Sequence, residues 1–337
     1  MPGLLPPLLM AAVMLLPACG QEPDLVVYSS LDQVHSEKII ELFAQRTGLD
    51  VSAQWDVEAN KTVGLVNRLI AEASNPRADV YWNNEIAHTI RLKNAGITAP
   101  YLSPSARDIP ASFKDAEGHW TGFAGRARVI MYRPDLLGDS QPPTRVEDLA
   151  QPDFAASGGM ARPLTGTTLT HFALLSLRNG KQATLDWLEH AKRSGLSFGP
   201  GNAAAMRRVC EGDFAWCLTD TDDAAAARRN GYAVEVLYPD QGEAGIGTVL
   251  IPNTACLING APHPEAARRF LDFLLSEEVE AMLAQADSEQ IPLRASVPVP
   301  AHVKLPGIDF HAMEVDWEAA ARELELRQID FKQLFLE

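Results

Sequence analysis

Three carboxylates, Asp220, Asp222 and Asp223, stand within four residues at the end of a strand-like run, 214–218. Hard cations prefer oxygen ligands, so this concentrated negative charge predicts contact with a cation or an amine. The alternative is a helix N-terminus, where aspartate caps the backbone and interacts favourably with the helix dipole. Capping accounts for one aspartate comfortably and for three poorly. We therefore expect at least one of the three to contact a ligand.

Polar residues also follow two other strand-like runs, at Asp32 and at Asn84-Glu85. Ligands of open α/β sheets collect at the carboxyl ends of the strands, which makes these side chains candidate contacts. Asp32 could instead cap the helix that begins near Ser36, and Glu85 could simply occupy the first turn of its own helix.

The stretch Gly166-Thr167-Thr168 has the form of a helix N-terminus. The N–H groups and hydroxyls of such an end bind anions. Threonine is also an ordinary N-cap, so an anion contact and plain capping both stay open.

An activated catalytic group is not indicated by the sequence, which has no Walker-type and no His-Glu-x-x-His motif. His35, His88 and His171 show no paired spacing, so a zinc site has weak support. Paired carboxylates across a cleft could hydrolyse glycosides, and surface adhesion is a further class. Tight stoichiometric binding of a small ligand without turnover would separate transport binding from both.

The elements that must position these side chains follow a β-α-β-α-β alternation in the first part of the chain, which predicts a parallel sheet flanked by helices. The strand-like runs there are 25–30, 49–55 and 78–82, and the helical ones are 36–47, 62–73 and 85–94. Further on, the pattern predicts a strand at 126–132, another at 254–258, and one long amphipathic helix over 264–285.

The 337 residues carry 29 Lys+Arg against 44 Asp+Glu, a net charge of −15. This acidity argues against nucleic-acid binding, which needs clustered basic residues. With 46% apolar residues the chain is not disordered, and its length favours two lobes over one core. Cys210 and Cys217 flank a short turn and could be a disulfide or two thiols, whereas Cys256 in a strand-like run is most simply buried.

The N-terminus carries an unbroken apolar run from Leu8 to Leu16, too short to span a bilayer and typical of a signal peptide. Leu16-Pro17-Ala18-Cys19-Gly20 resembles a bacterial lipobox. The resemblance implies a signal peptide at 1–18, acylation of Cys19 and a lipidated tether at 19–23. A plain secretory peptide or a misassigned start codon is the alternative.

Four segments, taken in order, resemble the extracellular solute-binding proteins (family 1) of bacterial ABC importers, in the ferric-iron-binding branch: 26–30, 78–82, 125–132 and 263–276. The resemblance covers nearly all of the chain after the signal peptide. It implies an α/β fold of the two-lobe periplasmic-binding-protein type (type II), with a ligand cleft between lobes joined by two crossover strands. The implied parts are a first lobe at 24–122 plus 248–300, a second lobe at 123–247, and a C-terminal helical segment at 301–337 that packs across the lobes.

The resemblance further implies capture of ferric iron or another hard cation, together with a synergistic anion such as phosphate or carbonate. Ferric-binding relatives hold iron with adjacent tyrosines where this chain has Asp222-Asp223, so the implied metal ligands become Asp32, Glu85, Asp222 and Asp223. Asn84 and Asp220 join them as ligand contacts, and the implied anion contacts are Arg126, Thr167, Thr168 and Asn202. The missing tyrosines keep an organic amine-and-anion ligand, such as an aminophosphonate, as a close alternative.

The same resemblance implies a non-enzymatic, monomeric protein that hands its ligand to an ABC permease. The signal peptide and lipobox predict export to the periplasm with attachment to the membrane only by the lipid, and the acidic charge predicts no nucleic-acid binding.

Overall fold

The computed structural model describes residues 22–56 and 63–336. The predicted signal peptide, 1–18, and Cys19 lie outside the described residues. In the described part, ten strands pair into one sheet: β1 Leu25–Ser29, β2 Val51–Trp55, β3 Val80–Asn83, β4 Thr98–Ala99, β5 Thr121–Tyr132, β6 Gly158–Ala161, β7 Ser197–Gly199, β8 Trp216–Asp220, β9 Glu235–Leu237 and β10 Leu250–Ile258.

The α-helices of the described residues cover the sheet and fill the connections between strands: α1 Gln33–Thr47, α2 Val63–Ala71, α3 Ile86–Asn94, α4 Pro134–Leu137, α5 Pro152–Ala155, α6 Gly166–Asn179, α7 Lys181–Arg193, α8 Asn202–Glu211, α9 Thr221–Arg229, α10 Pro264–Leu274, α11 Glu277–Gln285 and α12 Trp317–Leu336.

The strand order is β2-β1-β3-β10-β5-β8-β6-β7, with β4 beside β10 and β9 beside β5. β1 runs parallel to β2 and β3, and β6 runs parallel to β7 and β8. The sheet thus has two parallel halves, each with the strand-helix alternation that right-handed crossovers require.

Two long antiparallel strands, β5 and β10, join the halves. β5 pairs with β10 over Thr121–Ala127 and with β8 over Arg128–Tyr132, so a single strand passes from one half to the other. Gly125 permits the close approach, because a Cβ there would lie 2.8 Å from the carbonyl oxygen of Ile251. The predicted lobe boundaries remain predictions.

One helix was expected over 264–285, and the structure has two. α10 ends at Leu274, and α11 begins at Glu277. Ser276 has an extended backbone, and its hydroxyl accepts a hydrogen bond from the Val279 N–H. An N-cap serine followed by two glutamates is a local helix start, which outweighs the continuous apolar periodicity.

Helix α12 packs against helices of both halves. The Lys93 ammonium of α3 donates to Glu318 Oε1 (2.7 Å), and the Ser176 hydroxyl of α6 donates to Glu323 Oε1 (2.7 Å). Trp317 and Phe331 of α12 belong to a buried apolar cluster that also contains residues of α3 and α6. This last helix therefore ties the two halves together from outside the sheet.

Cys210, Cys217 and Cys256 are buried free thiols. Cys210 lies at the end of α8 and Cys217 in β8, inside one small apolar cluster. Burial raises the thiol pKa of all three, which keeps them protonated. Of the helices in the described ranges, none combines the length and the apolarity that crossing a membrane takes.

Candidate functional site

A buried ion pair lies at the centre of the site. Arg128 of β5 and Asp220 of β8 are directly opposite each other in the antiparallel ladder. The Arg128 guanidinium donates to Asp220 Oδ1 at 2.6 Å, and both side chains are almost fully buried. A charged pair in such a place needs further hydrogen bonds to offset the cost of desolvation.

Three polar side chains supply those bonds, Thr167 and Thr168 from the start of α6 and Asn202 from the start of α8. The Thr167 hydroxyl donates to Asp220 Oδ2 (2.7 Å) and accepts from Arg128 and from the Asn202 amide. The Thr168 hydroxyl donates to Asn202 Oδ1 (3.1 Å) and accepts from Arg128. These groups, expected to contact an anion, thus have protein partners in this structure.

Arg126 lies two residues before Arg128 and therefore on the same face of β5. Its Nε is 3.4 Å from Asp220 Oδ2, and its guanidinium donates to the main-chain oxygen of Asn84 at 3.0 Å. Through Asn84, Arg126 connects the second half of the sheet to the end of β3. The neighbouring carboxylates, Asp222 foremost among them, raise its pKa against the opposing effect of burial.

Asp220, Asp222 and Asp223 come together at the start of α9, each offering a carboxylate oxygen within 4.8 Å of the others. Asp223 accepts the Thr219 hydroxyl and, at 3.5 Å, the Asp220 N–H. Asp222 Oδ1 accepts the Asp223 N–H at 3.1 Å. The same aspartates therefore cap α9 and form a cluster of negative charge, which the sequence had offered as alternatives.

Burial and mutual repulsion both oppose ionisation of the second and third carboxylates of this cluster. Burial and repulsion from Asp222 and Asp220 raise the pKa of Asp223 to about 7. Burial also raises the pKa of Asp222, although Arg126 opposes that shift. A cation placed among these oxygens would relieve the repulsion.

Glu85 is buried and caps α3, because its carboxylate accepts the N–H groups of Ala87 and His88. It also accepts the Thr170 hydroxyl of α6 at 2.9 Å, which joins the two halves beside Arg126. Glu85 is thus the N-cap of α3, one residue before the first turn in which the sequence alternative placed it. Its charge adds to the field that acts on Arg126.

Asp32 is exposed at the start of α1, where its charge acts on His35. Of the four implied metal ligands, the structure gathers Asp222 and Asp223 with Asp220. Neither Asp32 nor Glu85 belongs to that group of described carboxylates.

Arg128 was not among the candidate residues, yet the site is built around it. The signal was present as Arg126-x-Arg128 in a strand-like run, because a spacing of two places both guanidinium groups on one face. What the sequence could not show is that this face meets the end of β8.

The comparisons with known proteins agree with this architecture. The family model described as "Bacterial extracellular solute-binding protein" matches residues 88–313, well over half of the chain. The chain is 27% identical over 307 residues to Iron uptake protein A1 of Synechocystis sp., covering 85% of this chain and 83% of that one. It is 24% identical over 285 residues to a putative 2-aminoethylphosphonate-binding periplasmic protein of Salmonella typhi, covering 81% and 80%.

Among solved structures, iron-bound HitA from Pseudomonas aeruginosa superposes with a TM-score of 0.79 at 22% identity, covering 91% of this chain and 98% of that chain. That likeness shows the fold, which is the two-lobe α/β fold of type II periplasmic binding proteins. With the family match over 88–313, it follows that this chain belongs to the bacterial extracellular solute-binding protein family.

Proposed function

We propose that this protein is the solute-binding component of an ABC importer and that it captures ferric iron or another hard cation together with a synergistic anion. The observation that carries the proposal is the group of three carboxylates whose oxygens lie within 4.8 Å of one another. Two of the three, Asp222 and Asp223, are half-buried and in reach of a ligand. The iron-related name of the Synechocystis relative supports the same ligand class.

The charge balance around the cluster favours a cation. Arg128 is already bound to Asp220 and two threonines, so its charge is committed to the buried network. Arg126 lies beside the carboxylates, yet burial, together with repulsion from the neighbouring aspartates, still raises the pKa values of Asp222 and Asp223. A hard cation bound through carboxylate oxygens would supply the missing positive charge and favour the ionised forms.

Arg126 is the residue that we propose for the anion. Its side chain is 13% exposed, and its guanidinium borders both the carboxylates and the main chain of Asn84. In this scheme Thr167, Thr168 and Asn202 hold Asp220 and Arg128 in place behind the ligand. Glu85 and Asn84 form the opposite side of the cleft, and Asp32, at the start of α1, is a further candidate.

The second candidate is an organic ligand with a cationic amine and an anionic group, such as an aminophosphonate. The name of the Salmonella relative favours it, as does the position of Arg126 next to the aspartates. The carboxylates would bind the amine and Arg126 the anion.

Metal analysis of protein purified without chelator, combined with mass spectrometry of released small molecules, separates the two ligand classes. Stoichiometric metal that is lost on Asp222→Asn with Asp223→Asn would support the first proposal. A stoichiometric amine-bearing anion without metal would support the second. Protein that carries neither, and that gains no thermal stability from ferric iron or 2-aminoethylphosphonate, would contradict both.

The remaining parts of the proposal concern the whole chain. Lobes at 24–122 plus 248–300 and at 123–247 would close on the ligand by a hinge in β5 and β10, with the segment 301–337 lying across them. Cys19 would carry the lipid anchor, and the monomeric protein would deliver its ligand to the permease without a catalytic step.

A further inference from the structure

A second cavity lies in the half of the sheet that carries α6 and α7, and none of the clustered aspartates lines it. Its volume is about 370 Å³, within the range of sites for small organic molecules. One wall is apolar and comes from Phe172 and Leu175 of α6 and Trp187 of α7. The other wall is the loop around Asp240, together with Arg145 and Glu147.

The aromatic wall is rigidly placed. The rings of Phe172 and Trp187 are 5.3 Å apart between centroids, and the Trp187 indole N–H donates to the main-chain oxygen of Glu147 at 3.1 Å. Phe172 is fully buried and Trp187 half-buried, so the indole is the ring that a ligand can reach. A tryptophan face of this kind attracts cations.

Asp240 is buried, with 6% exposure, and its backbone has a φ of 62°, which few residues other than glycine adopt. Two backbone hydrogen bonds fix that conformation: the Asp240 N–H donates to Thr144 and the Asp240 carbonyl accepts from Gly247, both at 2.9 Å. Strain of this kind persists where the surrounding structure imposes it, and often at binding sites.

The Asp240 carboxylate has one weak polar partner among the described residues. Oδ1 accepts the Val146 N–H at 3.3 Å, and no described group donates to Oδ2. The positive charge of Arg145 acts on Asp240, but the Arg145 guanidinium pairs with Glu147 at 3.0 Å, and both of these side chains are largely exposed. Asp148 and Glu147 add further negative charge nearby.

We infer that this cavity is a second binding site, for a small organic cation with an apolar body, such as an aryl-alkyl amine. The ammonium group would donate to Asp240 Oδ2, and the apolar part would lie against Trp187, Phe172 and Leu175. Burial raises the pKa of Asp240 to about 6, and a cation bound beside the carboxylate would favour its ionised form. The inference does not depend on the ligand of the aspartate cluster.

The test uses 2-phenylethylammonium as the probe and 2-phenylethanol as its uncharged counterpart, at about pH 7.5, where Asp240 is ionised. We expect saturable 1:1 calorimetric binding of the amine with a change in tryptophan fluorescence, and at least tenfold weaker binding of the alcohol. Asp240→Asn should weaken the amine at least tenfold and leave the alcohol unaffected. If the amine showed no saturable binding, or if the amine and the alcohol bound with equal affinity, the inference would be overturned.

Two controls locate the effect. Asp186→Asn removes an exposed charge from α7 without touching the cavity, and should leave the affinity for the amine within twofold of the wild-type value. The double variant Asp222→Asn with Asp223→Asn should also bind the amine with the wild-type affinity. If Asp186→Asn weakened the amine as much as Asp240→Asn does, general charge would be the cause. If the double variant abolished binding, the amine would belong to the main cleft. Either result would refute the second site.

Discussion

At the scale of single residues, the aspartates of this chain differ by environment rather than by type. Asp220 is held by two arginines and two polar side chains, whereas Asp223, three residues later, has a pKa raised to about 7. Asp240 lies buried beside a cavity, and within the described ranges its carboxylate accepts a single hydrogen bond. Each environment leads to a different expectation for substitution.

Asp222→Asn combined with Asp223→Asn tests the proposed ligand group. Hydrogen bonds to charged groups contribute about 1.5–3 kcal/mol each, so loss of both charges should lower the affinity for the ligand about a hundredfold or more. The fold should remain, because asparagine can still accept the hydrogen bonds of the α9 start and the removed charges repel each other. Calorimetry with ferric citrate and with 2-aminoethylphosphonate measures the loss.

The matched control is Glu189→Gln with Glu211→Gln, which removes the same charge from exposed positions. It should bind like wild type. Wild-type affinity in the aspartate variant would mean that these carboxylates only cap the helix, and the assignment of the site would have to be withdrawn.

Thr167→Val combined with Thr168→Val tests the network behind the ligand. Valine has nearly the same volume as threonine but no hydroxyl. The double substitution therefore removes hydrogen bonds that the buried Arg128 and Asp220 make in the wild type. We expect an unfolding free energy lower by about 2–5 kcal/mol and an affinity at least tenfold weaker. Thr184→Val is the control, since the Thr184 hydroxyl donates to the local main-chain oxygen of Gly180 and to no other group among the residues that the structure describes. If denaturant titration gave the double variant and the control the same unfolding free energy, the network would not stabilise the site.

The raised pKa of Asp240 leads us to expect that the stability of the protein depends on pH. Its folded pKa is about 6 against an ordinary value of 3.8, so the folded state binds more protons between these values. The contribution of Asp240 to stability is therefore lost as pH rises from about 4 to about 6. Asp240→Asn should be more stable than wild type above pH ~6, by on the order of 2 kcal/mol, and should lose this advantage below pH ~4. Thermal unfolding across this range that shows a constant difference would contradict the raised pKa.

At the scale of elements, the pairing of β5 with β8 and the starts of α6, α8 and α9 together build the site. Each helix begins where a strand of the second half ends, so their first residues converge on one edge of the sheet. Arg126 and Arg128 reach that edge because β5 continues past β10 to pair with β8. The position of the site therefore depends on the packing of β6 and β8.

Gly158 of β6 provides the test at this scale. A Cβ there would lie 2.0 Å from the ring of Trp216 in β8, and both residues are buried. Gly158→Ala should displace the ring and lower the unfolding free energy by about 1–3 kcal/mol. Gly199→Ala in β7 meets only Met160 O at 3.9 Å, so it should change stability by less than about 1 kcal/mol. Equal thermal midpoints for the two variants would show that β6 and Trp216 tolerate the added methyl.

At the scale of the whole molecule, two parallel half-sheets share two crossing strands, and α12 contacts helices of both halves. A ligand at the junction can then bias the arrangement of the halves, which is how binding proteins of this fold respond to a solute.

The proposed anchor is tested on the complete chain. Cys19→Ser removes the thiol that acylation requires, so the variant should move from the membrane fraction to the soluble fraction in a detergent-free fractionation. Cys210→Ser, a change within the folded part, should stay with the membrane like wild type. Retention of Cys19→Ser in the membrane fraction would reject lipid attachment at this residue.

Local patterns determined much of this protein from the sequence alone. The strand-helix alternation, the helix that starts near Glu85 and the carboxylates around the end of β8 can all be read from neighbouring residues, because they depend on backbone periodicity and on short-range hydrogen bonds. The start of α11 was also encoded locally, at Ser276, although the apolar periodicity concealed it. The order of four motifs was enough to indicate the family.

Contacts between distant segments were decided only by the tertiary structure. Arg128 meets Asp220 across 92 positions of sequence, and Thr170 meets Glu85 across 85. The structure also decided that Asp220, Asp222 and Asp223 come together, whereas Asp32 lies outside that group and stays a predicted ligand. Residue type and spacing set what a side chain can bind, whereas the register of β5 against β8 and β10 sets which side chains meet, and that register is fixed by packing over the whole sheet.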